Sequence, residues 1–302
     1  MGTSRGARGD RINGVLLLDK PGGMTSNAAL QAVRRLLNAA KAGHTGTLDP
    51  MATGLLPLTF GEATKFSADL LNADKSYRAA LKLGVTTSTG DADGTVLDTH
   101  DVAVTNADVD DVLSRFVGTI EQVPPMHSAL KRDGRPLYEL ARAGAEVERA
   151  PRPIMVHRLT LVEHRGDTVV VDVDCSKGTY VRVLAEDIGR TLGCGAHLSA
   201  LRRTRAGRLH IDDAVPLSAL GAMALEERRA RLLPEDELLG SLARVRLDDA
   251  HAARFRQGQR LALDAEPRGH RVRVYGGTNE LLGTATISEW GVVEPERLVT
   301  NN

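Results

Sequence analysis

Lys41-Ala42-Gly43-His44-Thr45-Gly46-Thr47-Leu48-Asp49-Pro50, followed by Met51-Ala52-Thr53-Gly54-Leu55-Leu56, is the stretch that the rest of the chain has to explain. Two glycines, a histidine and two threonines crowd against one carboxylate, and a proline closes the run before an apolar segment. Glycine lets the backbone take positive φ or approach a ligand closely, while Asp-Pro holds Asp49 extended and prepares a turn or a helix start at Pro50. Local grammar leaves two readings open. Asp49 can be an N-cap, its carboxylate accepting a backbone N–H of the next turn, or a fixed carboxylate presented for chemistry. His44 alone suits a turn or packing position, so the decision belongs to the rest of the chain.

The flanks supply a frame. Gly14-Val15-Leu16-Leu17-Leu18-Asp19 predicts a short buried strand, and Lys20-Pro21-Gly22-Gly23-Met24-Thr25-Ser26 a loop with helix-capping hydroxyls. Leu30, Val33, Leu36 and Leu37 recur at helical spacing with Arg34 and Arg35 opposite, and this helix leads into the Asp49 loop. Beyond it, a helix is expected over 63–71. Lys75 to Leu83 alternates as a strand, with Tyr77, Ala79, Leu81 and Leu83 on one face and Arg78, Ala80 and Lys82 on the other. Thr89-Gly90-Asp91-Ala92-Asp93-Gly94 lacks the ligand spacing and closing Glu of an EF-hand and is read as a turn. Thr105-Asn106-Ala107-Asp108 is a variant capping box opening a helix on Val109, Val112, Leu113 and Phe116 that Gly118 stops.

From Val123 to Arg142 the chain makes a long excursion rich in cations and turn formers, with one short helix near its end; such excursions are usually functional or mobile. Strands are expected at Ile154 to Glu163 and Thr168 to Cys175, joined by a hairpin across Arg165-Gly166-Asp167. Ser176 to Gly189 reads as a glycine turn into a helix, and Leu198-Ser199-Ala200-Leu201-Arg202-Arg203 as a short apolar-to-basic element. From about Pro234 the chain restarts: a helix at Asp248 to Phe255, then strand candidates at Arg271 to Tyr275, Leu281 to Ile287 and Val292 to Val299. Irregular alternation of strands and helices argues α+β over a doubly wound sheet.

The totals bound the function. The chain has 302 residues with 42% hydrophobic content, enough for a large domain with a smaller one, and no run approaching a membrane span or the apolar core of a signal peptide, so the default location is the cytoplasm. The two cysteines, Cys175 and Cys194, form neither a Cys-x-x-Cys nor a Cys/His cluster, which argues against a disulfide framework or a zinc site. Net charge is zero, 39 basic against 39 acidic residues, yet arginines cluster at Arg202-Arg203-Thr204-Arg205-Ala206-Gly207-Arg208 and around Arg268 to Arg273. Such stripes are compatible with a face that grips a polyanion, arginine's planar fork suiting phosphate, although a solvated surface run is their commoner meaning. P-loop, dinucleotide-binding, zinc-protease, serine-elbow and catalytic-cysteine signatures are missing. What remains is a carboxylate on a glycine-bounded loop, a strand-initial tyrosine and an arginine after a glycine turn. An arginine beside a carboxylate keeps it ionised and orients its oxygens.

Gly43-His44-Thr45-Gly46-Thr47-Leu48-Asp49-Pro50 resembles the catalytic motif of the TruB family of tRNA pseudouridine synthases. Lys20 to Ser26 is similar to that family's N-terminal motif, Lys75-Ser76-Tyr77 to its tyrosine motif, and Gly178-Thr179-Tyr180-Val181-Arg182 to its arginine motif, in the family's order. The resemblance implies a mixed, largely antiparallel sheet flanked by helices in an α+β catalytic domain over residues 12–233, with an RNA-clasping insertion at about 124–150. A disordered basic tail at 1–11 and a small β-rich PUA-like RNA-binding module at 234–302 complete the expected organisation. It further implies isomerisation of uridine to pseudouridine in the T-loop of tRNA, at the position conventionally called 55, with no cofactor and no metal, in a monomer whose partner is tRNA. Asp49 would be nucleophile or base, Tyr77 would stack on the flipped uracil with its hydroxyl available for proton transfer, and Arg182 would pair with Asp49. His44 would occupy space beside the extruded nucleotide, Tyr180 and Leu201 would line the pocket, and Lys20, with Gly43 and Gly46, would brace the loop. Two other functions fit parts of the pattern: a tRNA chaperone with isomerisation secondary, and a carboxylate-dependent nucleoside hydrolase, which would release free uracil.

Overall fold

A computed structural model describes residues 9–300 other than 127, 129, 133, 143, 145 and 146. Strand β1 (Gly14–Lys20) is buried on both faces, as its apolar run requires of a strand between packed layers. The Thr25 hydroxyl accepts from the Ala28 N–H at 3.1 Å and caps α1 (Ser26–Leu36), which buries Ala29, Leu30 and Val33. The chain then returns along β2 (Ala42–His44) and β3 (Thr53–Phe60), Gly43 lying opposite Thr59. In place of one helix over 63–71, a 3-10 turn (Gly61–Phe66) runs into α2 (Ser67–Leu71). Next come β4 (Lys75–Leu83), the hairpin β5 (Val85–Thr87) and β6 (Val96–Thr99), α3 (Asn106–Arg115) behind the expected capping box, and β7 (Gly118–Gln122).

Within the excursion the described residues form the two-residue strands β8 (Lys131–Arg132) and β9 (Arg135–Pro136) and helix α4 (Leu137–Arg142). The expected hairpin follows as β10 (Arg152–Arg165) and β11 (Thr168–Cys175), then α5 (Val181–Leu192). The segment read as a short element at 198–203 is the middle of an eleven-residue strand, β12 (Ala196–Ala206), followed by β13 (Leu209–His210), β14 (Val215–Pro216), α6 (Leu217–Ala222) and α7 (Leu225–Arg229). Two register shifts in the β12–β4 ladder interrupt the alternation that would have revealed it.

The main sheet runs β14-β1-β3-β12-β4-β11-β10-β7, with β2 added to β3 and β13 to β12. Its ladders are antiparallel except β1–β14 and β3–β12. The β3–β12 join is close: Gly54 faces Arg203 with φ +100°, and a Cβ there would lie 2.3 Å from the Arg203 carbonyl oxygen. The main core, including Leu16, Leu58, Leu81, Val171, Leu184 and Ile188, unites the sheet with the helices; Val15, Leu17, Leu55 and Phe66 pack on Leu238 and Leu239 in a second core.

After a 3-10 turn (Glu235–Leu239), the C-terminal part forms β15 (Ala243–Arg246), α8 (Asp249–Arg256), β16 (Leu261–Ala262), β17 (Arg271–Tyr275), β18 (Leu281–Ile287) and β19 (Val292–Leu298), a five-stranded sheet ordered β15-β17-β18-β19-β16 with its own core. β15 and β16 escape sequence reading because four and two residues are too few to display a period. This β-rich module is tied to the body by Lys65 Nζ to the Leu298 carbonyl at 2.9 Å, by the Thr300 N–H to Glu62 at 2.7 Å and by the Arg271–Asp69 ion pair. The whole is a mixed α+β protein with a large mixed sheet.

Two further expectations change. Residues 1–8 of the expected tail lie outside the described residues, but Asp10 is already held, bridging to Ala39 and ion-paired with Arg229. The arginine clusters do not form free cationic stripes. Arg202 pairs with Asp19 through two bonds of 3.0 and 2.8 Å, Arg203 is buried, Arg205 bonds Ser76, and Arg208 bonds the Gly240 carbonyl. In the second cluster Arg268 takes Asp264 and Arg271 takes Asp69 and Glu296. Strand alternation sends neighbouring arginines of β12 to opposite faces, and carboxylates from strands, a helix and a loop meet arginines of both clusters. Among the described residues no helix is long and apolar enough to cross a membrane, and no cluster of His, Cys, Asp and Glu could hold a metal ion.

Candidate active site

The Asp49 loop is anchored from below and behind. Lys20, fully buried at the end of β1, donates to the carbonyls of Pro21 at 2.8 Å, Met24 at 2.7 Å and Pro50 at 3.4 Å, tying the two loops together. Burial lowers its pKa to about 8, Asp49 drawing it back up and Arg203 adding to the decrease. The Ser26 hydroxyl donates to the Leu48 carbonyl (3.0 Å) and accepts from the Leu48 N–H (2.8 Å). Gly46 takes φ +77°, which turns its carbonyl toward Arg203 Nη2 at 3.1 Å; Gly43 lies so close to β3 that a Cβ would stand 3.1 Å from Thr59 Oγ1. Pro50 begins a turn, not a helix: the Ala52 N–H bonds the Asp49 carbonyl at 3.1 Å and β3 starts at Thr53. The Asp49 carboxylate is therefore not spent on capping.

It meets Arg182 instead. Arg182 is the second residue of α5, with a side chain only 6% exposed, and its Nε lies 3.0 Å from Asp49 Oδ2 and 3.5 Å from Asp91 Oδ2. Its Nη1 donates to the Thr89 carbonyl at 3.2 Å. One guanidinium thus joins the Asp49 loop, the turn between β5 and β6, and the start of α5. Burial raises the pKa of Asp49, Arg182 opposes that, and Asp91 and Asp93 add to the rise; the net direction is upward even though the side chain keeps 39% exposure. A carboxylate so placed is a stronger base than a solvated one.

Tyr77 enters from β4, half-buried, with Arg203 as its register partner on β12. Burial raises the phenol's pKa, an effect that Arg203 partly reverses. Arg203 is 1% exposed and donates Nε to the Leu55 carbonyl at 2.7 Å, so one buried cation links β3, the Gly46 turn and Tyr77. Tyr180 is the N-cap residue of α5, its hydroxyl pKa raised by burial. Asp49 acts on the titration of both tyrosines. Leu201 belongs to the core, 8% exposed and opposite Ala79, on the same sheet face as Tyr77. His44 ends β2; burial and then Arg203 lower its pKa, and its Nδ1 is buried with no hydrogen-bond partner among the described residues.

Sequence reading missed Asp91 and Arg203. Asp91 has an ordinary turn role, its Oδ1 accepting from Thr89 Oγ1 at 2.5 Å and from the Asp93 N–H at 3.2 Å, and that role explains it without Arg182. Arg203 looked like one more member of a surface run.

Three family models divide the chain: TruB family pseudouridylate synthase (N terminal domain) over residues 34–181, tRNA pseudouridylate synthase B C-terminal domain over 182–240, and Pseudouridine synthase II TruB, C-terminal, over 243–299. A tRNA pseudouridine synthase B from Aromatoleum aromaticum is 57% identical over 289 residues, covering 96% of this chain and 93% of its own. One from Burkholderia mallei is 60% identical over 294 residues, covering 95% and 97%. The chain belongs to the TruB family. Among solved structures, a Cbf5-Nop10-Gar1 complex superposes with TM-score 0.75 at 28% identity over 94% of this chain and 84% of that one. An H/ACA RNP bound to a substrate RNA containing 2'-deoxyuridine gives TM-score 0.73 at 25% identity over 99% and 92%. The TruB pseudouridine synthase fold accounts for the large mixed sheet, and the third matched model spans nearly all of the five-stranded module.

Proposed function

We propose that this pseudouridine synthase acts on tRNA and isomerises one uridine of the T-loop, at the position conventionally called 55. The observation that carries the reading is the 3.0 Å pair of Asp49 with Arg182 on a loop fixed by Lys20, Ser26 and Arg203, with Tyr77 beside it. The names of the relatives, tRNA pseudouridine synthase B, support the substrate class.

The target base is stacked in folded RNA and must be flipped out before a side chain can reach it, at a cost of a few kcal/mol offset by new stacking and hydrogen bonds. His44 occupies space beside the extruded nucleotide, and its unpartnered Nδ1 is a polar group that RNA can satisfy. Tyr77 stacks on the uracil, with its hydroxyl protonated at neutral pH, and Tyr180 and Leu201 close the pocket. Asp49, ionised and held by Arg182, acts as nucleophile or base. The C1′–N1 bond breaks, the uracil turns, C5 bonds to C1′, the C5 proton leaves to solvent and N1 gains one; no atom is lost and no cofactor is called for. Lys20, Gly43 and Gly46 keep the loop in place. The domain reading follows: residues 12–233 carry the chemistry, the 124–150 insertion clasps RNA, and 234–302 form a PUA-like RNA-binding module in a cytoplasmic monomer.

Incubation of the purified protein with unmodified tRNA, followed by position-resolved mapping, tests this. Pseudouridine at position 55 is expected. Free uracil would point to a hydrolase, and refolded but unmodified tRNA to a chaperone; either would refute the proposal.

A further inference from the structure

Helix α5 delivers Tyr180 and Arg182 from its first turn, yet it has no side-chain cap of its own. Ser, Thr, Asp or Asn would ordinarily stand at that position; here it holds Tyr180. The missing anchor comes from 58 residues away. Gln122, the last residue of β7 and 3% exposed, accepts the Tyr180 N–H on Oε1 at 2.8 Å and donates Nε2 to the Tyr180 carbonyl at 3.1 Å. Both halves of the amide are used, so neither an acid nor an amine of the same length reproduces the pair. Val181 and Leu184 pack one side of the helix start into the core, while a cavity of about 540 Å³ lined by Glu121, Val123, Val183 and Glu186 lies between β7's end and α5. β7 ends where the excursion begins, and Arg149 Nη1 bonds the Pro124 carbonyl at 3.1 Å, bracing that same corner.

We propose that Gln122 is a positioning residue for the isomerisation, setting the start of α5 so that Arg182 meets Asp49 and Asp91 and Tyr180 meets the base. The proposal rests on the functional reading above. Displacement of the helix start by a fraction of an ångström would misalign the guanidinium, and a misplacement of about 1 Å can cost about a hundredfold in rate.

The test is Gln122→Met, which keeps length and removes both hydrogen bonds, assayed by single-turnover pseudouridine formation in saturated complex with tRNA, by tRNA binding, and in a double-mutant cycle with Arg182→Lys. The rate should fall about tenfold or more while Kd for tRNA stays within about threefold. Adding Gln122→Met to Arg182→Lys should cost much less than it does in the unaltered protein, since both act through one guanidinium. A rate within about twofold of the unaltered protein, full additivity in the cycle, or a loss of binding equal to the loss of rate would each overturn the proposal. Gln122→Glu, which retains the acceptor, is measured in the same way if Gln122→Met does not fold. Absence of pseudouridine with the unaltered protein refutes the functional reading instead.

Discussion

Replacing Asp91 by Asn removes a carboxylate that sequence reading assigned to a turn, and the geometry predicts two separable effects. Asp91 and Asp49 both lie within 3.5 Å of Arg182 Nε, and Asp91 contributes to the upward shift of Asp49. Because Asp49 is 39% exposed, solvent screens part of that effect. The sign follows directly. On the proposed mechanism Asp49 works ionised, so activity fails on the acid side as pH drops through its raised pKa; without Asp91 that pKa falls and the acid limb moves to lower pH. At neutral pH Arg182 loses one of its two carboxylate anchors, and the rate should drop by about 10- to 100-fold, equivalent to about 1.4–2.8 kcal/mol. The assay is single-turnover tritium release from C5-labelled uridine in tRNA across pH. An acid limb that stays put or moves upward, with an unchanged neutral rate, would refute the shared-guanidinium account.

Gly54→Ala should destabilise the fold by about 3 kcal/mol or more, because it puts a Cβ 2.3 Å from the Arg203 carbonyl at φ +100°; a melting temperature within about 2 °C of the unaltered protein would contradict the close β3–β12 join. Lys75 is buried against the Leu71 and Ala73 carbonyls, and burial lowers its pKa to about 8, so the unfolded chain holds more protons than the folded one from about pH 8 to 10.5. Over that window its contribution raises stability as pH rises. Denaturation of the protein and of Lys75→Met should therefore give a stability difference that grows in favour of the unaltered protein with pH, and a difference constant or declining across the window would reject the lowered pKa.

Much of the frame was legible because it obeys short-range rules. The Thr105–Asp108 capping box, the alternation of β4 and the turn at Gly166 each satisfy local geometry with local residues. Asp49 stood out because Asp-Pro and flanking glycines are costly to carry without a reason. Asp91 and Arg203 did not, since each has an adequate local reading and acquires its site contact from segments about 90 and 130 residues away in the chain. The full length of β12 is hidden in the sequence because bulges break its period, and the arginine clusters take their meaning from Asp19 and Asp174 on other strands and Asp69 on α2, which meet them only in the fold. The four family motifs were visible as strings; that Arg182 serves two carboxylates is a property of three dimensions.

The most direct test of the central claim is Asp49→Asn. The substitution keeps shape and removes the charge, and since burial raises the Asp49 pKa, ionised Asp49 opposes folding at neutral pH and its removal should leave the melting temperature no lower. The account predicts a folded protein that binds tRNA with nearly unaltered affinity and forms no pseudouridine, measured as tritium release from C5-labelled uridine. Substantial turnover by that variant would contradict it.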